Sequence, residues 1–250
     1  MDYFQAIFLG IIQGIAEWLP ISSEGQAVLT GIKILGLSPD VALSYAIFLH
    51  LGTLFVVLIR FRKTWYSLLT GMDIPLLKRI ILVTAGTGIT AVPIFLVLEE
   101  FFNADINVTL LIGLLLIVTG IMLKYSKKGV RDIESLSPFE LFGLGLIQGF
   151  AILPGISRSG VTITALLMRN IRPESALIFS FLISVPPVIG AIILSDIPPE
   201  SNISLNLTMI LSAFIVGGIM MEVLLRISHR LNFSFFCLFL GGITVILSLL

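Results

Sequence analysis

Two short polar stretches in this chain contain the residue types that could carry out chemistry, and apolar sequence surrounds both. In the first stretch, Gln13 and Glu17 are four residues apart and therefore project from one face of a helix. Oxygen ligands at this spacing suit a hard divalent cation, such as Mg²⁺ with Ca²⁺ as the other candidate. The first stretch therefore predicts a metal site.

The second stretch, residues 153–162, has the sequence LPGISRSGVT and places Arg158 among three hydroxyl side chains. An arginine at the bilayer centre costs about 2.5 to 3.5 kcal/mol on insertion scales, so it normally faces a partner, a cavity or a ligand. Its planar guanidinium suits phosphate, and Ser157, Ser159 and Thr162 supply further donors. Pro-Gly and Ser-Gly break a helix here, and the N–H groups of a new helix start bind anions. The second stretch predicts a phosphate site.

Structural roles are the alternative for each of these residues. Gln13 could make an ordinary hydrogen bond between membrane helices. Glu17 and Arg158 could pair with each other, which would leave the nearby hydroxyls and broken helices unexplained. His50 stands alone within a predicted span, and a structural hydrogen bond is the favoured interpretation for it.

An internal repeat relates the two polar stretches. Residues 9–25 align without gaps to residues 144–160 at an offset of 135, with nine identities in seventeen positions. Shared hydrophobicity does not account for that agreement. The chain is therefore interpreted as a duplication, with repeat 1 at residues 1–134 and repeat 2 at residues 135–250.

The composition is that of a polytopic membrane protein. Of 250 residues, 57% are hydrophobic and 12% charged, and the mean hydropathy is +1.10. A formal net charge of zero gives no indication of a nucleic-acid partner. We expect one integral membrane domain over residues 1–250.

Hydropathy predicts an all-α fold in which each half has one re-entrant helix-loop-helix and three transmembrane helices. In repeat 1 a helix at 4–21 is followed by a break and only about ten apolar residues, too few to cross a core of about 30 Å. A broken helix at 139–168 is its counterpart in repeat 2. The predicted spans are 41–59, 80–98, 108–123, 173–194, 207–225 and 232–249. Three crossings is an odd number, so the second half would be inverted.

Charge placement predicts the orientation. If the loop from Arg60 to Arg79 is cytoplasmic, the clusters 124–131, 169–172 and 226–230 are cytoplasmic as well, and thirteen of the fifteen Lys and Arg residues lie inside. Both termini then face outward. The two re-entrant loops enter from opposite sides and can meet near the middle of the membrane.

These motifs resemble a known family. Residues 13–23, QGIAEWLPISS, and residues 153–162 are similar to the two signature motifs of the undecaprenyl-diphosphate phosphatase family, also called the bacitracin-resistance family. The similarity extends over essentially the whole chain and includes His50-Leu-Gly-Thr53. It implies an inverted-repeat membrane enzyme that removes the terminal phosphate from a long polyprenyl diphosphate and so recycles the lipid carrier of envelope glycans.

The resemblance also implies roles for individual residues. Gln13 and Glu17 match an element associated with metal and catalysis, and Ser23 matches a serine beside the phosphates that is a candidate nucleophile. The family usually has a histidine where this chain has Gln26, which cannot act as a base. Glu24 is the proposed substitute, so either Glu17 or Glu24 would activate Ser23 or a water. The expected catalytic residues are Glu17, Ser23, Glu24 and Arg158, and the expected phosphate-binding residues are Ser22, Ser157, Arg158, Ser159, Gly160 and Thr162.

The expected function is hydrolysis of a long polyprenyl (undecaprenyl) diphosphate in the plasma membrane, with a divalent cation and with the active site open to the outside. A homodimer is left open. The alternative is a flippase that binds the lipid phosphate without hydrolysis, because broken helices in inverted repeats are also a transporter architecture. A phosphatidate-type phosphatase is disfavoured, because that type relies on several histidines and this chain has only two.

Overall fold

The computed structural model describes residues 1–103, 107–124, 129–195, 202–227 and 233–248. The regular elements in these ranges are helices. In addition, one isolated β-bridge pairs Arg131 with Ile171. Parts of two predicted basic clusters, including Lys127, Lys128 and Arg230, lie outside the described residues. The helices are α1 (Tyr3–Ala16), α2 (Ser23–Lys33), α3 (Pro39–Arg60), α4 (Arg62–Leu69), α5 (Ile74–Asn103), α6 (Val108–Lys124), α7 (Pro138–Gly149), α8 (Arg158–Met168), α9 (Pro173–Leu194), α10 (Ile203–Ile227) and α11 (Phe233–Ser248).

The first broken helix is present, but its first segment is shorter than predicted. Helix α1 ends at Ala16 rather than at residue 21, and a turn over residues 17–20 leads to α2. Pro20 explains the early end, because it has no amide hydrogen to donate to the carbonyl of Ala16. Gln13 and Glu17 still lie on one face of the chain at this point.

The second break has the same plan. A short 3-10 helix at Phe150–Ile152 follows α7, and α8 then begins at Arg158. Gly155 lies between them with a φ of +108°, a conformation that L side chains rarely adopt. Arg158 is therefore the first residue of a helix, as its position after the Pro-Gly pair predicts.

Four helices are long and apolar enough to cross a membrane, and they lie at Pro39–Arg60, Ile74–Val97, Pro173–Leu194 and Ile203–Arg226. These confirm an all-α membrane protein. The remaining two predicted spans correspond to α6 and α11, which are apolar helices of 17 and 16 residues. Helix α4, in the predicted loop after residue 60, was not expected. The inverted orientation of the two halves stays a prediction.

Close helix pairs join the two halves of the chain. Helix α1 packs on α10, α5 packs on α7, and α6 packs on α11. Glycines allow backbone contact at these crossings: a Cβ on Gly14 would lie 2.7 Å from the amide nitrogen of Gly217, and one on Gly145 would overlap the carbonyl oxygen of Val83. This packing brings the break after α1 next to the break after α7.

Candidate active site

Glu17 is the centre of the polar cluster formed by the two breaks. Its carboxylate accepts hydrogen bonds from Ser23 Oγ at 2.7 Å and from Gln13 Nε2 at 2.8 Å, both on Oε2. Arg158 Nη2 donates to the other oxygen, Oε1, at 2.6 Å. Only 5% of the Glu17 side chain is exposed, so these donors replace the water that an ionised carboxylate would otherwise need. Glu17 and Arg158 therefore do pair, and the same carboxylate also holds Ser23.

Arg158 connects this cluster to α9. Its Nη1 atom donates to the carbonyl oxygen of Ser180 at 3.3 Å, which fixes the plane of the guanidinium. The side chain also lines a polar cleft of about 300 Å³ together with Glu17, Ser23, Glu24 and residues of both breaks. A guanidinium beside a serine hydroxyl and the N-terminus of a helix is an arrangement suited to binding phosphate.

Ser22 joins the two breaks directly. It has a φ of +58°, unusual for a residue with a side chain, and its Oγ accepts hydrogen bonds from Gly25 N at 3.2 Å and from Gly155 N at 2.9 Å. Ser157, at the equivalent position of the repeat, caps α8 in the same way by accepting from Gly160 N at 3.1 Å. Both serines line the polar cleft, and both also stabilise the helix starts around it.

The other predicted phosphate ligands divide into two groups. Ser159 lines the cleft, with its hydroxyl 3.2 Å from that of Ser157. Gly160 and Thr162 lie behind it: Thr162 Oγ1 donates to Arg158 O at 2.8 Å and lies 2.7 Å from Ser180 Oγ. Thr162 supports the position of Arg158, and a direct role for Gly160 or Thr162 in phosphate binding stays a prediction.

His50 lies in the cluster, although the sequence favoured a structural role for it. Its Nδ1 atom lies 2.8 Å from the carbonyl oxygen of Ala46, which can only accept, so Nδ1 carries a hydrogen. The other ring nitrogen, Nε2, faces the cleft and lies 3.4 Å from Glu17 Oε2. His50 therefore does make a structural hydrogen bond, and that bond orients Nε2 toward Glu17. An ionisable residue inside a predicted span was the available signal.

Gln26, at the position where the resemblance implies a histidine, does not donate to Glu17. Its Nε2 atom donates to the carbonyl oxygen of Ile21 at 3.3 Å. His50 on α3 thus supplies the imidazole nearest to the carboxylate among the described residues. The cleft has a histidine, although it comes from a different element.

The cleft is suited to a divalent cation only when a bound substrate supplies some of the oxygen ligands. Gln13 Oε1 and Glu24 Oε1 are buried acceptors for which the described residues provide no hydrogen-bond partner. In the same ranges, no three histidine, cysteine or carboxylate side chains are close enough to form a metal site. Mg²⁺ is commonly held by one or two carboxylates with phosphate oxygens completing its shell, which Glu17 and Glu24 in the cleft could provide. The donor set fits a cation shared with a phosphorylated ligand.

Comparison with known proteins agrees with the geometry of the site. Residues 6–246 match the model of the family described as "Bacitracin resistance protein BacA". This chain belongs to that family. Membership confirms the resemblance of the chain to the bacitracin-resistance family.

Curated relatives in this family are similar to the chain over its full length. A protein named undecaprenyl-diphosphatase from Methanothrix thermoacetophila is 47% identical over 253 residues, covering 100% of this chain and 98% of its own length. Proteins of the same name from Methanopyrus kandleri and Sulfurisphaera tokodaii are 39% and 34% identical, again over 100% of this chain and over 97% and 98% of their own lengths.

Proposed function

We propose that this protein hydrolyses undecaprenyl diphosphate, or a similar long polyprenyl diphosphate, to the monophosphate and inorganic phosphate. Its full-length relatives carry the name undecaprenyl-diphosphatase. The observation that carries the proposal is the position of Ser23 and Arg158 on the two oxygens of one buried carboxylate, Glu17. In this proposal Ser23 is the nucleophile, Glu17 is its base and Arg158 binds the phosphate, and all three line one cleft. A flippase would not need a serine hydroxyl held by a carboxylate.

The chemistry follows from these contacts. Glu17 accepts the proton of Ser23, and Ser23 Oγ attacks the terminal phosphorus while the bridging P–O bond breaks. Polyprenyl monophosphate leaves and the phosphoryl group stays on Ser23. Water then attacks this phosphoserine and the Ser23 Oγ–P bond breaks; Glu17 returns its proton to Ser23 Oγ, the water proton passes to His50 Nε2, and inorganic phosphate is released. Arg158 stabilises the charge on the transferred phosphoryl oxygens in both steps.

His50 and Glu24 complete the proposed machinery. His50 Nε2 faces the cleft and can take or return the proton that moves between Ser23, Glu17 and water. Glu17 and Glu24 would hold the divalent cation, Mg²⁺ or Ca²⁺, whose charge offsets that of the diphosphate when substrate is bound. This assignment replaces Gln13 with Glu24 as second ligand, because Glu24 is among the residues that line the cleft and Gln13 is not.

The membrane orientation belongs to the same proposal. With the basic clusters in the cytoplasm, both termini lie outside, and the cleft takes substrate from the outer leaflet of the cell membrane. The lipid chain then stays within the bilayer while the diphosphate reaches the cleft. A homodimer stays a prediction.

Phosphate release by the purified protein in detergent tests the proposal. We expect release from undecaprenyl diphosphate that falls on chelation, returns with Mg²⁺ and is lost in Arg158→Ala. Arg62→Ala is the matched control, because Arg62 lies on α4 and donates to Ile59 O, away from the cleft. If the folded protein moved the lipid between vesicle leaflets and released no phosphate, the protein would be a flippase and not a phosphatase.

A further inference from the structure

The polar cleft continues into a largely apolar groove between α5 and α9. A cavity of about 590 Å³ has Glu24, His50 and Arg158 at one end and Thr87, Gln148 and Pro187 among its other lining residues. A groove of about 580 Å³ borders it, and five residues line both: Thr87, Ala91, Ile152, Pro187 and Ala191. The phosphate site and the groove therefore form one connected space.

The groove has the chemistry of a hydrocarbon site. Beyond the shared residues its walls include Val92, Phe95 and Leu194. The hydroxyl of Thr84 also lies there, but it donates to the carbonyl oxygen of Ile80 at 2.8 Å and offers no free donor. A polar head group would gain nothing in such a groove, whereas an isoprenoid chain would bury apolar surface.

The open groove between α5 and α9 differs from the corresponding helix pair of the repeat, which is closely packed. By repeat order, α3 and α10 are the counterparts of α9 and α5. Those two helices are in backbone contact, since a Cβ on Gly52 would lie 2.6 Å from the carbonyl oxygen of Ile210. On the open side, a Cβ on Gly88 or on Gly190 would have no described atom within 4 Å. A glycine therefore allows close contact between α3 and α10, whereas the glycines of α5 and α9 face open space.

Gln148 and Pro187 define the inner end of the groove. Pro187 cannot donate to the carbonyl of Ile183, and Gln148 Nε2 takes that acceptor at 3.3 Å while also donating to Thr87 Oγ1 at 2.9 Å. These bonds hold α7, α5 and α9 together where the polar cavity becomes apolar. Gln148 Oε1 is buried and has no partner among the described residues, so a polar group of a ligand can still bind there.

We propose that the α5–α9 groove binds the first isoprene units of the polyprenyl chain while the diphosphate lies in the polar cleft. This inference rests on the proposed function. From Thr84 to Phe95 the groove follows α5 for about 16 Å at 1.5 Å per residue, so the remainder of a long chain lies in the bilayer. The groove runs toward Phe95 and Leu194, the helix ends expected at the outer surface, where the substrate would enter.

Filling the groove tests its role. Gly88→Leu and Gly190→Leu place a side chain in empty space and should raise the KM for undecaprenyl diphosphate by about tenfold or more, since burial of a few methylenes is lost. The value of kcat should change less than twofold. Gly218→Leu on α10 is the matched control, because a Cβ there also has no described atom within 4 Å and the residue lies outside the groove. An equal KM in all three variants would overturn the proposal.

Photo-labelling separates this proposal from the proposed function. A polyprenyl diphosphate with a diazirine on its first isoprene units should label α5 and α9 in the wild-type protein, and Gly88→Leu should reduce that label severalfold. Labelling of other helices alone would refute the groove even if hydrolysis is confirmed. Labelling of α5 and α9 without phosphate release would instead keep the groove and refute the phosphatase.

Discussion

Arg158 Nη2 lies 2.6 Å from Glu17 Oε1, and this ion pair joins residues that are 141 positions apart in the chain. Glu17 follows the first helix of repeat 1, and Arg158 begins the second helix of the broken pair in repeat 2. Neither half therefore contains a complete site. The carboxylate that holds Ser23 is itself held by the arginine from the other half.

The Glu17–Arg158 pair should be coupled in stability as well as in activity. Glu17→Ala leaves a largely buried guanidinium without its partner, and we expect a loss of about 3 to 5 kcal/mol in the free energy of unfolding. Glu17→Ala combined with Arg158→Ala should recover part of that loss while activity stays absent. Unfolding in detergent, followed for both single variants and the double variant, measures the coupling. Strictly additive losses would show that the pair contributes little to the fold.

Ser23 should be needed for the reaction and nearly neutral for the fold. Ser23→Ala removes the hydroxyl that donates to Glu17, and we expect phosphate release to fall by at least about 100-fold. Rapid acid quenching with substrate labelled in its terminal phosphate should trap the label on Ser23 in the wild-type protein. Ser44→Ala is the control, since Ser44 Oγ donates to Asp40 O near the start of α3. Normal turnover without trapped label would make water the direct nucleophile.

His50 should carry the proton-transfer role that Gln26 cannot. We expect His50→Gln, which can keep a bond to Ala46 O, to lower kcat by about 100-fold or more, as loss of a general acid-base group usually does. Gln26→Ala should lower kcat far less, because Gln26 Nε2 donates to the carbonyl oxygen of Ile21 and not to Glu17. The value of kcat measured for both variants separates the role of His50 from that of Gln26. An unchanged kcat in His50→Gln would reduce His50 to a structural residue.

The site could be predicted from the sequence because charged side chains are energetically unfavourable inside a membrane. Glu17 and Arg158 were recognised because an isolated charge in an apolar segment requires a partner or a ligand. The two breaks were recognised from Pro20 and from the Pro-Gly pair before Arg158, although α1 ends five residues earlier than predicted. The all-α membrane class followed directly from hydropathy.

Other features depended on three-dimensional contacts that no spacing reveals. His50 reaches Glu17 across the boundary between α1 and α3, and a single histidine in a span has no periodic signal. The groove between α5 and α9 depends on which glycines are left uncovered, and Gly88 and Gly52 look alike in sequence. Ser22 shows a similar limit: its left-handed backbone and its bond to Gly155 require the loop geometry of both halves.

Gly155 should be required for the junction of the two loops. A Cβ there would lie 2.7 Å from the carbonyl oxygen of Ile112, and the φ of +108° is itself strained by about 1 to 3 kcal/mol for any other residue. We expect Gly155→Ala to lower the melting temperature and to reduce phosphate release together, because the bond from Gly155 N to Ser22 Oγ is disturbed. Gly36→Ala is the control for backbone strain alone, since Gly36 also has positive φ but no described neighbour within 4 Å of a Cβ. Equal effects of the two substitutions would show that strain, rather than loop contact, is what matters.

Glu24 should determine how much Mg²⁺ the reaction requires. Its Oε1 is buried without a described partner, and its side chain lines the cleft beside Glu17, so Glu24→Gln removes one of the two carboxylates proposed to hold the metal. We expect the Mg²⁺ concentration for half-maximal phosphate release to rise by about tenfold or more, with activity partly restored at high Mg²⁺. Gln13→Glu adds a carboxylate next to Glu17, so we expect the opposite effect, a lower Mg²⁺ concentration for half-maximal phosphate release. If Glu24→Gln instead lowered kcat at every Mg²⁺ concentration without changing the metal requirement, Glu24 would be acting as the general base. Hydrolysis unchanged in both respects would exclude either role and would leave Glu17 and His50 as the groups that move the proton.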